Sequence, residues 1–305
     1  MPESAHKYEL VIVSYRSRPQ VEGLLAGLDP ETPFVVVDNS GDRDGISTVA
    51  AQARHGRYLN GGGHGFAKAA NLGARSSGYD YVIFVNPDTR PTDADLAALV
   101  GDLADDPRLA SVAATPLGGD GRTEIGAGGW EPSVRRAVVH ALGLHKVLPT
   151  AGLFARPRAN LPLRVDWTTG ACMAVRTSTF ESLGAFDEQF YVYNEDVTFG
   201  RTVREAGLRQ SLRTDVLVPH GSGNSGAPSK EMMRLRGASM ARYVNQHNSP
   251  AASSVIRAAL ASGYLTRVIQ QLLKRDFARA GEHFAYVQGV MTGTATVGGK
   301  EVTST

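Results

Sequence analysis

Short apolar, β-branched runs separated by helix-patterned segments constrain this chain more than any other feature. Residues 10–13, 34–37, 81–85 and 109–113 are each of strand length and almost wholly apolar, the pattern of strands covered on both faces. Between them, residues 20–28, 45–54, 67–76 and 93–103 carry apolar side chains at helical spacing. This alternation predicts an α/β fold, a mostly parallel central sheet with helices on both faces. Ligands of such sheets bind beyond the carboxyl ends of the strands. The residues closing each run are therefore the first candidates for chemistry: Ser14-Tyr15-Arg16, Asp38-Asn39-Ser40 and Asn86-Pro87-Asp88-Thr89.

The turn after the first run has no G-x-G-x-x-G, and no G-x-x-x-x-G-K-[ST] occurs anywhere, which removes dinucleotide oxidoreductases and P-loop NTPases. A nucleotidyltransferase is disfavoured as well, because Ser-Tyr-Arg-Ser-Arg-Pro stands where its glycine-rich phosphate loop belongs. The chain has 305 residues, enough for two domains, expected here at 1–227 and 228–305. Residues 116–165 are rich in Gly and Pro around a basic apolar segment at 134–144, and are expected to form an insertion over the rim of the sheet. A further strand is expected at 171–175 and helices at 177–183 and 196–206. From 230 to about 290 the pattern is purely helical, and 292–305 reads as frayed.

Cys172 is the single cysteine, so no intramolecular disulfide forms and a reducing, cytoplasmic location is expected. The first apolar stretch is too short for a signal peptide or a span. The overall charge of +2 hides an asymmetry, with 1–227 at −4 and 228–305 at +6. An anionic partner for the C-terminal part follows, and a membrane surface is preferred to nucleic acid because no nucleic-acid-binding signature accompanies the charge. Residues 255–277 place Ile256, Ala259, Leu260, Leu265, Val268, Ile269, Leu272 and Leu273 at helical spacing, with Arg257, Arg267, Lys274, Arg275 and Arg279 as cations. That stripe either lies on a membrane or packs on the body or a second subunit.

Asp38 can accept the imide N–H of uracil or thymine, or close an Asx turn. Asp88 can hold Mg²⁺ or Mn²⁺ with a substrate diphosphate, or cap the following helix. His220, ending the run 216–219 before a Gly-Ser-Gly-Asn-Ser-Gly stretch, suits a metal ligand or a structural hydrogen bond. Glu195-Asp196 opens a helix, where carboxylates either cap free N–H groups or remove a proton from an acceptor hydroxyl.

Together these segments resemble the family 2 glycosyltransferases, inverting enzymes of the GT-A fold that use nucleotide-diphospho-sugars. The carriers are Val-Ile-Val-Ser-Tyr at 11–15, Val-Val-Asp-Asn-Ser at 36–40, the glycine loop 60–71, Phe-Val-Asn-Pro-Asp-Thr at 84–89, 170–176, Gly-Ala-Phe-Asp-Glu-Gln-Phe at 184–190, and Glu195-Asp196. The resemblance implies Asp196 as general base with Glu195 beside it, Asp38 on the base, and Asp88 with His220 at an Mn²⁺ or Mg²⁺ ion. It implies donor contacts from Ser14, Tyr15, Arg16, Asn60, Gly63, Gly65, Phe66, Lys68, Asn71 and Asn86, and acceptor contacts from Trp167, Gly170 and Ala171. Asn86 replaces the first aspartate of a D-x-D, as in the rhamnosyltransferase-like branch; the imide argument at Asp38 gives a dTDP- or UDP-linked donor, and the resemblance makes dTDP-L-rhamnose the expected one. The triple glycine before His64 resembles galactofuranosyltransferases and keeps a UDP-sugar open, as a non-catalytic nucleotide-sugar binder also stays open. The implied acceptor is a glycan or polyprenyl-diphosphate-linked hydroxyl in bacterial cell-wall or surface polysaccharide synthesis, reached at the inner face of the plasma membrane. A homodimer through the C-terminal helices is a further expectation.

Overall fold

The computed structural model describes residues 8–148, 150–158, 160, 163–221 and 229–302. The expected boundary at 227/228, and all but the first residue of the glycine-serine stretch after His220, lie outside the described residues.

The first half is a run of βαβ units: β1 (Tyr8–Ser14), α1 (Arg18–Leu25), β2 (Phe34–Asp38), α2 (Ser47–Gln52), β3 (Gly56–Asn60), α3 (Phe66–Arg75), β4 (Tyr81–Val85), α4 (Asp93–Asp105) and β5 (Leu109–Leu117). α4 starts on a capping box, Thr92 and Asp95 each bonding the other's backbone N–H. An insertion follows, with β6 (Gly128–Gly129), α5 (Val134–Ala141), a 3₁₀ turn at Leu144–Lys146, β7 (Leu163–Val165) and β8 (Trp167–Thr168). Then come β9 (Cys172–Arg176), α6 (Thr177–Ser182), α7 (Glu195–Glu205) and β10 (Arg209–Pro219). Three helices follow, α8 (Ser229–His247), α9 (Pro250–Leu273) and α10 (Phe277–Thr292), and then a hairpin of β11 (Thr296–Val297) and β12 (Lys300–Glu301).

The main sheet has eight strands in the order β3-β2-β1-β4-β9-β5-β10-β7. β1, β2, β3 and β4 pair in parallel, as do β5 and β10, whereas β9 runs antiparallel between β4 and β5 and β7 closes one edge antiparallel. Alternate side chains of the strands enter two cores. Leu10, Ile12, Val36 and Ile83 pack beneath α1 and α4, whereas Val11, Val37, Phe84 and Met173 pack with Phe180, Phe186 and Phe199 on the other face. The mostly parallel α/β sheet with C-terminal helices is the architecture that the run pattern predicts.

The C-terminal helices pack on the body rather than standing apart. Tyr243, Val244, Ile256, Leu260, Tyr286 and Val290 share one core with Ala137, Leu153, Trp167, Phe190 and Val197. Glu131 of the insertion accepts hydrogen bonds from Arg201 and Arg204 of α7 and from the Tyr243 hydroxyl of α8. α8 and α10 cross closely enough that a Cβ on Gly289 would meet the Arg234 carbonyl oxygen.

Two expectations need correction. The segment 292–302 is not frayed, because Ala295 is fully buried, Val302 N–H donates to its carbonyl, and the hairpin folds back on α8. The α9 stripe is divided. Ile256 and Leu260 are core residues, but Leu265, Ile269, Leu272 and Leu273 are exposed. Arg257 is not a free surface cation either, since it donates to the Val290 and Met291 carbonyls at the end of α10. Among the described residues no helix is long and apolar enough to cross a membrane.

Candidate functional site

Parallel pairing sets the carboxyl ends of β1, β4, β5 and β10 along one rim, and the antiparallel β9 begins there. That rim is laced by backbone: Asn86 N–H donates to Ala171 O, Gly221 N–H to Asp88 O and Arg90 N–H to Pro219 O. Over it lies a cavity of about 1670 Å³. A site for one small ligand occupies roughly 300–1,000 Å³, so this volume accommodates two substrates. Ser14, Tyr15, Arg16, Gly65, Phe66, Asn86, Asp88, Trp167, Gly170, Ala171, Glu195, Asp196 and His220 all line it.

Asp88 and His220 come together from different strands. His220 Nε2 lies 3.4 Å from Asp88 Oδ1, and its Nδ1 lies 2.9 Å from Glu124 Oε2. Burial opposes the charged imidazole, but bonds to the two carboxylates outweigh it and raise the pKa to about 9. Two ligand atoms on adjacent corners of an octahedral ion with bonds near 2.1 Å sit roughly 3 Å apart, so the Asp88–His220 spacing suits a shared divalent ion, which would take the place of the Nε2 proton. Glu124 stands where an outer carboxylate fixes a metal-binding histidine's tautomer. Among the described residues no group of three or more His, Cys, Asp or Glu is arranged to hold an ion. An ion there needs the donor's phosphate oxygens as well.

Glu195 and Asp196 begin α7 after two consecutive left-handed residues, Tyr193 and Asn194, each at φ 69°. Non-glycine residues there cost of order 1–3 kcal/mol each, and such strain clusters at functional sites. Glu195 is buried, and Oε2 has no partner among the described residues. Burial and the neighbouring Asp196 charge push its pKa well up. Asp196 is raised to about 6 by burial, opposed by the Val197 N–H that Oδ1 accepts and by the Arg236 charge. It is the carboxylate that is ionised at neutral pH.

The glycine loop reaches this segment directly. Phe66 N–H donates to Tyr191 O at 2.6 Å, and Gly65, at φ 96°, lies so close that a Cβ would fall 2.2 Å from that oxygen. One contact therefore ties the start of α3 to the approach to α7.

Five residues expected at the donor are not among those that line the cavity. Asp38 is fully buried, its carboxylate accepting the Ser40 and Asp42 N–H groups, with the Tyr58 hydroxyl at 3.4 Å. Its bond to Ser40 N–H closes an Asx turn, and the neighbouring Asn39 lines the cavity. Asn71 is buried and pins α3 to the segment 186–188 through bonds to the Phe186 backbone and the Glu188 carboxylate. Lys68 and Gly63 point to solvent, and Asn60 Oδ1 accepts the Gly62 N–H of its own turn. Asp38→Ala is expected to lower unfolding free energy by about 1–3 kcal/mol by orphaning two amides, measured by urea denaturation, and to weaken nucleoside diphosphate binding with it. Unchanged stability would remove the turn from the account.

Some wall residues were not legible in the sequence. Arg236 of α8 lies over Tyr193 at 5.1 Å and acts on Asp196, and in the sequence it is one cation among those of the basic C-terminal part. Glu124 lies in an insertion without a motif. No local signal marks either, because their partners are distant in sequence.

Residues 11–181 match the model of glycosyl transferase family 2. The chain is 29% identical to N-acetylglucosaminyl-diphospho-decaprenol L-rhamnosyltransferase of Mycobacterium tuberculosis, over 65% of this chain and 70% of that protein. It is 24% identical to rhamnosyltransferase WbbL of Escherichia coli, over 66% of this chain and 78% of that one. In fold it is similar to a mannosyltransferase from Pyrobaculum calidifontis solved with GDP-mannose and Mn²⁺, with TM-score 0.57 and 16% identity over 94% of this chain and 86% of that one.

Proposed function

The chain belongs to glycosyl transferase family 2, on its rhamnosyltransferase-like side, and from that premise we propose that it moves L-rhamnose from dTDP-L-rhamnose to a hydroxyl of a lipid-linked glycan, with inversion. The observation that carries the reading is the shared cavity, in which Asp196, ionised above about pH 6, and the Asp88–His220 pair face one space large enough for donor and acceptor.

In this reading Asp196 takes the proton from the acceptor hydroxyl as its oxygen attacks the anomeric carbon opposite the leaving diphosphate. The reaction is one displacement, so no covalent sugar–enzyme intermediate is needed. Glu195 shapes the acceptor side, and Arg236 holds the Asp196 charge in place. Asp88 and His220 would hold Mn²⁺ or Mg²⁺ with the donor diphosphate, and such an ion neutralises charge developing on the leaving group. Tyr15 and Arg16 at the end of β1 and Asn86 at the end of β4 bound the donor, and Trp167, Gly170 and Ala171 bound the acceptor. The rhamnosyltransferase relatives support the sugar, and the decaprenol-linked substrate in one relative's name supports the acceptor class. Action at the cytoplasmic face of the membrane, and a body at 1–227 carrying helices at 228–305, belong to the same proposal.

A panel of nucleotide sugars with and without Mn²⁺, read by thermal unfolding, tests the donor. A ligand at 100 times its Kd stabilises by about 2.7 kcal/mol. dTDP-L-rhamnose is expected to give the largest shift, and more with Mn²⁺. Selective stabilisation by GDP- or ADP-sugars would refute the assignment.

A further inference from the structure

One stretch of the cavity wall holds three cations, Lys146, Arg156 and Arg267, with no carboxylate in ion-pair distance among the described residues, and two imidazoles beside them. His140 of α5, His145, Lys146 and Arg156 of the insertion and Arg267 of α9 all line the cavity. The two imidazoles are each only 8% exposed and stack with centroids 4.3 Å apart. The charges that act on His140 come from His145, Arg267 and Arg156, and with burial, the larger effect, they bring its pKa down to about 4. Burial and the same two arginines lower His145.

The hydrogen bonds of this cluster are incomplete. Arg267 Nη2 lies 3.4 Å from His140 Nε2. A guanidinium only donates, so Nε2 accepts and the proton of the neutral ring sits on Nδ1. That Nδ1 is buried with no partner among the described residues, and so is the Nε of Arg156. Buried donors are satisfied in the great majority of cases, and His145 Nδ1 in the same cluster is unpartnered among the described residues as well; with Lys146, Arg156 and Arg267 on this wall and no ion pair to them among the described residues, the cluster presents positive charge to the cavity. Arg267 is held in place on this wall. Its guanidinium lies 4.6 Å above Tyr264, which stacks on Tyr286 at 3.7 Å.

The same elements carry the exposed apolar residues of this region. Leu142, which also lines the cavity, Val147 and Leu148 belong to the insertion, and Ile269 and Leu273 belong to α9, which packs on α5 where Gly263 meets Ala141. We propose that this wall is a subsite for the diphosphate of a prenyl-diphosphate-linked acceptor, with Arg156 and Arg267 as charge partners and the exposed Leu142 on the cavity wall meeting the first part of the prenyl chain. The proposal rests on the transferase reading for the word acceptor. The recognition itself is that of phosphate oxygens by guanidinium groups.

The test is calorimetric titration of the full chain, first saturated with dTDP or UDP and Mn²⁺ so that the donor's diphosphate place is filled. Farnesyl diphosphate is expected to bind alongside the nucleotide and more tightly than inorganic diphosphate, while farnesol gives no binding. Arg156→Gln with Arg267→Gln is expected to weaken farnesyl diphosphate about tenfold or more, with nucleotide affinity unchanged as the check on folding. Arg156→Gln alone, expected to act in the same direction, serves if the double variant does not fold. Displacement of farnesyl diphosphate by nucleotide, or equal binding by the variants, would overturn the subsite. Inorganic diphosphate bound as tightly as the prenyl compound would overturn its lipid part, as would binding only to anionic vesicles. Native protein that binds nucleotide but no prenyl diphosphate would refute this subsite alone, whereas failure to bind any nucleotide sugar would count against the transferase reading.

Discussion

Asp196→Asn is expected to cut sugar transfer by roughly 10²- to 10⁴-fold while leaving donor affinity nearly unchanged, because the amide keeps the shape of the side chain and cannot take a proton. The partner variant Glu195→Gln is expected to lose little. Burial and the Asp196 charge disfavour the ionised form of Glu195, and the amide is uncharged as well. In the native protein the transfer rate should fall about tenfold per pH unit below about pH 6, as Asp196 takes up its proton, and level off above. A large loss in Glu195→Gln with little in Asp196→Asn would exchange the two roles. Donor titrations on the same samples separate a lost base from a lost fold.

Gly65→Ala is expected to cost about 10²-fold in transfer, although residue 65 is no part of the chemistry. Its methyl group would fall 2.2 Å from Tyr191 O in a backbone conformation that disfavours a side chain, so the Phe66–Tyr191 bond has to open. Tyr191 lies four residues before Glu195, and a shift of about 1 Å in catalytic groups is enough for a loss of this size. Gly78→Ala is the control, since a Cβ there meets nothing within 4 Å and the backbone is ordinary. Transfer by Gly65→Ala within twofold of that by Gly78→Ala would show that the contact does not position the base.

The strands that carry the site were legible because apolar runs of this kind survive only inside a covered sheet, and the residues closing them reach the rim automatically. Asn86, Asp88 and His220 are placed by that rule alone. Asp38 shows its limit. It follows a strand as the others do, but the turn that it opens has its own amides to satisfy and takes the carboxylate inward. Asn71 sits in the glycine-loop motif and serves a tertiary bond instead, because helix α3 turns it toward Phe186. The strands β6 and β8, of two residues each, have no periodicity to read. The stripe on α9 was visible, but helical spacing says only that one face is apolar. Packing against Trp167 and Tyr286 decides that its first half is core and leaves its second half exposed.

The contribution of the C-terminal helices to the site was the largest feature that sequence reading missed. Their positive charge read as a surface property of a tail. In the fold, Arg236 and Arg267 both line the cavity and the Arg236 charge acts on Asp196, so part of that charge faces the substrates. The residue types were in view, but the faces on which they stand depend on how α8, α9 and α10 cross.

The most direct measurement is the structure of the transfer product. Native protein, dTDP-L-rhamnose, Mn²⁺ and a prenyl-diphosphate-linked amino sugar are incubated together, and the new linkage is read by nuclear magnetic resonance. The account predicts one added rhamnose whose anomeric configuration is opposite to that of the donor, formed by native protein and not by Asp196→Asn. A product that retains the donor's configuration, or one formed equally well by Asp196→Asn, would contradict it.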